Sequence, residues 1–79
     1  MPRAVILDRA AEEMEFATVT RWYAQEGDRV TASDPLVEVE AEKATYDITA
    51  PVSGLLVEIL AVTGDEVAVG SVLGMIEEQ

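Results

Sequence analysis

Two neighbouring stretches of the chain alternate apolar and polar residues with a period of two. Along 37–42, Val37, Val39 and Ala41 interleave with Glu38, Glu40 and Glu42. Along 44–50, Ala44, Tyr46, Ile48 and Ala50 interleave with Thr45, Asp47 and Thr49. Period two marks a strand with one buried face. With Glu42–Lys43 as a two-residue turn, the cross-strand pairs become Ala41/Ala44, Val39/Tyr46 and Val37/Ile48 on the buried face. Glu40/Thr45 and Glu38/Asp47 then fall on the other. A slip by one residue would set carboxylates opposite core positions, so the pattern specifies this register.

The tip itself is unusual for a hairpin. Primed turns favour Asn-Gly because both central residues take positive φ, and neither Glu nor Lys prefers that region. The expectation is therefore a type I turn held by the sheet. Glu38 facing Asp47 is a second oddity, since like charges directly opposite are unfavourable.

Elsewhere Gly27, Pro35, Pro51, Gly54, Gly64, Gly70 and Gly74 punctuate short runs rich in Val, Ile, Thr and aromatics, such as "ATVTRWY" and "GLLVEIL". Such spacing reads as an all-β sandwich or barrel. Residues 8–15, "DRAAEEME", are too short and polar to pack as a helix and are assigned to a loop. A shift of 37 lays 24–40 over 61–77, matching Ala24 to Ala61, Gly27–Asp28 to Gly64–Asp65, Val30 to Val67, Leu36 to Leu73, Val39 to Ile76 and Glu40 to Glu77. Two copies of one unit predict two similar sheets packed face to face about a pseudo-two-fold axis. Gly27–Asp28 and Gly64–Asp65 read as turn formers, Trp22 and Tyr46 as packing residues, and Gly54 as a tight approach or bend after Pro51.

The chain has 79 residues, enough for a single domain spanning 1–79. It has no cysteine and no histidine, which removes disulfides, most metal sites and the usual nucleophile–base pairs. No catalytic residue and no metal ligand is assigned. Redox or acyl-transfer chemistry would need a group attached to the chain. The net charge of −11 disfavours nucleic acid and anionic membranes; a well-solvated acidic surface is the plain reading, and a basic docking surface on another protein the alternative. No apolar run is long enough to span a membrane, and no signal-like segment follows Met1. The chain reads as cytoplasmic, or as a mature organellar segment.

Lys43 is the sole lysine, among sixteen acidic residues. The plain reading is a solvated turn residue balanced by Glu42 and Glu40. An exposed lysine is almost fully protonated near neutral pH and a poor nucleophile, so a projecting one suits an attachment point better than Schiff-base chemistry.

At these residues the sequence resembles the lipoyl domain of the dihydrolipoamide acyltransferase component of 2-oxo acid dehydrogenase complexes. "VEVEAEKATYDITAPVSGLLVEIL" is similar to that family's E-[TS]-D-K-A segment and its A-P-x-x-G-x-[VIL] continuation. "TRWYAQEGDRV" resembles its W-x-x-x-x-G-D-x-V stretch at Trp22, Gly27, Asp28 and Val30, and "TGDEVAVGSVLGMIE" its second G-D-x-V and closing strand. The likeness runs from about residue 5 to residue 78. It implies a flattened β-barrel or sandwich of two four-stranded antiparallel sheets (a barrel-sandwich hybrid), with the lysine hairpin at one end and both termini at the other.

The resemblance also implies lipoic acid joined to the Nζ of Lys43, with Glu42 and Ala44 as flanking turn residues. The arm would serve a thiamine-diphosphate-dependent 2-oxo acid decarboxylase, an acyltransferase domain and a dihydrolipoyl dehydrogenase, after loading by a lipoate–protein ligase. The domain would be a non-catalytic carrier. Three departures stand out: Glu42 where the family mostly has Asp, Ala41 where it has Thr or Ser, and Phe16–Ala17 within "MEFATV" where it often has Glu-Gly. By resemblance the Asp8–Glu15 loop lies beside the modified lysine, making Asp8, Glu12, Glu13 and Glu15 candidate recognition residues for the decarboxylase; a solvated acidic loop is the alternative. Met1-Pro2 is compatible with the N-terminal start of a longer acyltransferase, and the ending at Gln79 with a domain cut from one. Two other readings keep the fold: a biotin carrier, though such carriers flank the lysine with methionines, and an unmodified β docking module.

Overall fold

The computed structural model describes residues 1–10 and 12–79 and contains no helix among them. Eight strands follow one another: β1 (Pro2–Ile6), β2 (Phe16–Trp22), β3 (Arg29–Val30), β4 (Pro35–Ala41), β5 (Ala44–Thr49), β6 (Gly54–Ile59), β7 (Glu66–Ala68) and β8 (Val72–Glu78). They form two four-stranded antiparallel sheets, ordered β1-β8-β6-β3 and β5-β4-β2-β7. The expected all-β sandwich of two sheets is present, flattened to 34 × 21 × 17 Å.

The two sheets are images of one another. Exchanging β1 with β5, β8 with β4, β6 with β2 and β3 with β7 turns one strand order into the other. Hydrogen bonds repeat with the strands. Gly27 N donates to Leu56 O at 2.8 Å, and Gly64 N, 37 residues on, donates to Val19 O at 2.8 Å. Leu56 N donates to Asp28 O at 2.9 Å as Val19 N does to Asp65 O at 2.8 Å. Each Gly-Asp turn closes alike: Asp28 Oδ2 accepts from Gln25 N at 2.8 Å and Asp65 Oδ2 from Val62 N at 2.9 Å. Gly27 and Gly64 stand at φ +97° and +96°, where a side chain is strained. The repeat seen in the sequence is thus one turn chemistry used twice.

The space between the sheets is filled by Leu7, Met14, Leu36, Leu56, Leu73 and Ile76 together with Val5, Val19, Val37 and Val39, all below 2% exposure. Burying each such side chain stabilises the fold by about 1.5–3 kcal/mol. No polar or charged side chain is buried among the described residues, so this core specifies its geometry by shape alone. Trp22 and Tyr46 pack against it from the rim as expected, and the Trp22 indole Nε1 donates to Ala61 O at 2.7 Å. Met14 was not expected in the core, since it sits within the polar stretch 8–15. Its sulfur accepts from Ala10 N at 3.4 Å, and its burial pins the loop onto the barrel.

Gly54 is the tight approach that the sequence suggested. It pairs with Glu78, and a Cβ placed on it would overlap the Glu77 carbonyl. Gly54→Ala should therefore force strands β6 and β8 apart and cost about 3 kcal/mol or more. Gly27→Ala, where a Cβ meets open space, should cost only the backbone strain of about 1–2 kcal/mol. Urea unfolding of the two variants beside the parent measures the difference.

Candidate functional site: the hairpin tip and its surroundings

The β4–β5 hairpin adopts the register read from the alternation: Ala41 pairs with Ala44, Glu40 with Thr45, Val39 with Tyr46, Glu38 with Asp47 and Val37 with Ile48. Val37, Val39, Ala41 and Ile48 are buried, so the ladder is locked by its inner face. Glu42 and Lys43 form the two-residue turn, and both are exposed. Among the described residues Lys43 makes no hydrogen bond and no ion pair. Its Nζ projects free at the end of the sheet, while Ala44 beside it is half-buried.

The turn is not type I. Glu42 has φ +51° and Lys43 φ +66°, so both central residues lie in the left-handed region that defines a primed turn. The physical reason is twist: a primed turn matches the right-handed twist of the two strands, whereas a type I turn would splay them. The sheet decides against the residues' own preference, at about 1–2 kcal/mol per non-glycine residue held there. Lys43 is thus carried on a strained, rigidly determined corner.

Residues 8–15 enter β2 at the same end of this sheet. Thr18 pairs with Glu40, and the same register continued by two residues sets Phe16 towards Glu42. Asp8, Glu12, Glu13 and Glu15 are all exposed in that loop, and Arg9 caps it by donating from Nη1 to Glu12 O at 3.0 Å. The four candidate recognition residues therefore share the lysine's end of the molecule. Phe16, one of the three departures from the family pattern, stands 57% exposed there.

The facing carboxylates Glu38 and Asp47 are reconciled by Tyr23, which no local pattern places between them. Tyr23 Oη lies 3.0 Å from Asp47 Oδ1 and 3.3 Å from Glu38 Oε2, sharing its proton with the pair. Thr20 Oγ1 lies 2.8 Å from Glu38 Oε1. The Arg21 guanidinium sits over the Tyr23 ring at 4.6 Å from its centroid, placing a positive charge beside the two acids. A like-charge repulsion thereby becomes a hydrogen-bonded network on the outer face of the lysine-bearing sheet.

An eight-stranded sandwich with two-fold internal repetition that displays its single lysine on a rigid hairpin tip has the build of a domain that carries a covalently attached group. A family model described as "Biotin-requiring enzyme" matches residues 7–76, and the chain belongs to this biotin/lipoyl-attachment family. The dihydrolipoyllysine-residue succinyltransferase component of the 2-oxoglutarate dehydrogenase complex from Bartonella vinsonii subsp. berkhoffii is 42% identical over 66 residues, covering 84% of this chain. The chain spans only 16% of that relative's length. Among solved structures, the lipoyl domain of the 2-oxoglutarate dehydrogenase complex from Azotobacter vinelandii is similar with a TM-score of 0.73 and 27% identity, covering 95% of this chain and 98% of that one. The urea carboxylase of Kluyveromyces lactis contains a similar domain, with a TM-score of 0.84 at 25% identity, covering 98% of this chain and 6% of the carboxylase.

Two measurements probe this geometry. Glu42→Asn places a residue that tolerates positive φ at the first turn position and should stabilise the domain by about 0.5–1 kcal/mol in urea unfolding. Hydrogen bonding to Asp47, then desolvation and the charges of Asp47 and Glu38, hold the Tyr23 phenol above its ordinary value of 10.0. The stabilisation linked to that proton is complete below the unfolded value and lost as pH rises through the folded one. In an absorbance titration Tyr23→Phe should remove the late-ionising phenol, and Asp47→Asn should bring it earlier.

Proposed function

We propose that the domain is a lipoyl carrier in which Lys43 takes lipoic acid as an amide on its Nζ. The observation that carries this reading is the sole lysine at an exposed tip, with its nitrogen free and its corner fixed by the ladder. A group attached there needs room to enter another protein's active site, and nothing among the described residues covers the tip. Lipoamide, when bound, supplies a disulfide that accepts an acyl group and electrons. The chain's own part is to hold the attachment point away from the sandwich, keep it rigid and present surfaces that a partner reads.

The partners follow from the relatives' names as proposals: a thiamine-diphosphate-dependent 2-oxo acid decarboxylase that loads the arm, an acyltransferase domain that unloads it and a dihydrolipoyl dehydrogenase that reoxidises it. Tethering raises the arm's effective concentration at each of these sites. The domain itself performs no bond-breaking step in this scheme. Exposed Asp8, Glu12, Glu13 and Glu15, at the lysine's end, would be read by the decarboxylase, and the tip by a lipoate–protein ligase. Biotin is the second reading, favoured by the similar domain of the urea carboxylase; Glu42 and Ala44 beside the lysine argue for lipoate instead.

The test is intact mass and peptide mapping after parallel reactions with lipoate plus lipoate–protein ligase and biotin plus biotin–protein ligase. A single lipoyl adduct on Lys43, and none from biotin, is the expected result. Lys43→Arg should take no adduct while unfolding within about 0.5 kcal/mol of the parent, as an exposed substitution does. Glu42→Lys with Lys43→Glu, which moves the amine by one residue, should escape modification because the ligase reads the corner. Labelling of that variant at the parent's rate would show that it does not.

A further inference from the structure

One exposed side chain near the tip is out of keeping with its surroundings. Phe16 opens β2 on the outer face of the lysine-bearing sheet, since Ala17 next to it points inward at 3% exposure. It is the most exposed aromatic among the described residues, at 57%. Its cross-strand neighbour Ala68 and its same-face neighbour Thr18 are small and leave the ring uncovered. Beyond them the outer face is acidic, with Glu40 paired to Thr18 and Glu66 paired to Thr18 from the other side. An aromatic ring exposed among carboxylates repels anionic ligands, and its apolar face offers a surface to an uncharged apolar group.

Such a group would hang within reach. The Thr18–Glu40 register, continued by two residues, sets Phe16 opposite Glu42, so its Cα stands roughly 10 Å or less from that of Lys43. An octanoyl chain ending in a dithiolane and joined to a lysine amide extends roughly 14 Å from the Cα, taking eleven bonds along the arm. Acylation also removes the lysine's positive charge, leaving an uncharged arm among acids, with the exposed Phe16 ring nearby. We infer that the exposed face of Phe16 is a resting site for the domain's own lipoyl-lysine arm. The inference rests on the carrier reading and adds to it a position for the arm between visits to its partners.

The contact is apolar and two-sided: the dithiolane and the last methylenes of the arm lie on the ring, shielded from water on one side. Resting there, the arm lies beside the Asp8–Glu15 loop, so a protein that reads the loop meets the arm at the same place. Without Phe16 the arm samples the whole hemisphere around the tip.

The experiment uses the domain lipoylated with lipoate carrying carbon-13 in the dithiolane, with the single adduct on Lys43 verified by intact mass. Carbon-edited NOE spectra should show cross-peaks between the dithiolane protons and the Phe16 ring, with upfield ring-current shifts of the same protons. Phe16→Ala should abolish both and Phe16→Tyr should keep both, with amide spectra of each variant reporting the fold. Dithiolane shifts identical in the parent and in Phe16→Ala, without ring cross-peaks in the parent, would overturn the resting site while leaving the carrier reading intact. Cross-peaks to the Asp8–Glu15 loop in place of the ring would overturn it as well. A folded protein that takes no adduct overturns the carrier reading and the resting site together, and the mass spectrum tells this failure from the others.

Discussion

The register of β4 against β5 is the constraint from which the site follows. Val37, Val39 and Ala41 face the core, and a slip of the pairing by one residue would turn three glutamates towards it. The observed pairing leaves two residues for the turn, and strand twist then dictates their hand. Glu42 and Lys43 are forced into left-handed backbone that neither prefers, and the ladder beneath them absorbs the strain. The backbone geometry of the tip is therefore inherited from the core. A lysine placed by local preference would sit on a softer corner.

Internal symmetry shows how differently two equivalent surfaces have been used. Outside the sheet that bears Lys43 stand Thr20, Tyr23, Glu38 and Asp47, bound into one network. At the matching places outside the other sheet stand Val57, Leu60, Met75 and Ala4, with Val57 and Leu60 well exposed. The same backbone thus offers a polar, acidic face on the lysine side and an apolar one opposite. Charge gathered on the lysine side would steer a basic surface towards the tip, because field lines from clustered carboxylates act before contact.

Much of this was legible in the chain. The alternation in 37–50 carried the hairpin and its register, and the repeat of Gly27–Asp28 at Gly64–Asp65 carried the two-fold, because both are local patterns with a period. What escaped depended on partners distant in sequence or on forces acting over a whole sheet. The hand of the turn is set by strand twist, which neither Glu42 nor Lys43 reveals. Met14 is buried although its neighbours are polar, since one side chain of a loop can reach the core while the rest stays in water. Tyr23 meets Glu38 and Asp47 across two strand pairings, and only the assembled sheet brings the three oxygens together.

The two-fold also gives the chain's ends a counterpart. Leu7 and Ala50 make matching hydrogen bonds, to Ser71 and to Asp34, so β1 answers to β5 residue by residue. In that correspondence Gln79 takes the place of Glu42 and Met1 that of Ala44, which leaves Lys43 opposite the gap itself. Glu78 N donates to Met1 O at 3.1 Å, so the gap is narrow. The two-fold thus pairs the lysine corner with the place where residues 1 and 79 approach one another. Joining Gln79 to Met1 through a single residue and cutting at Lys43 would produce a circular permutant of the same fold, with anchor and cargo exchanged.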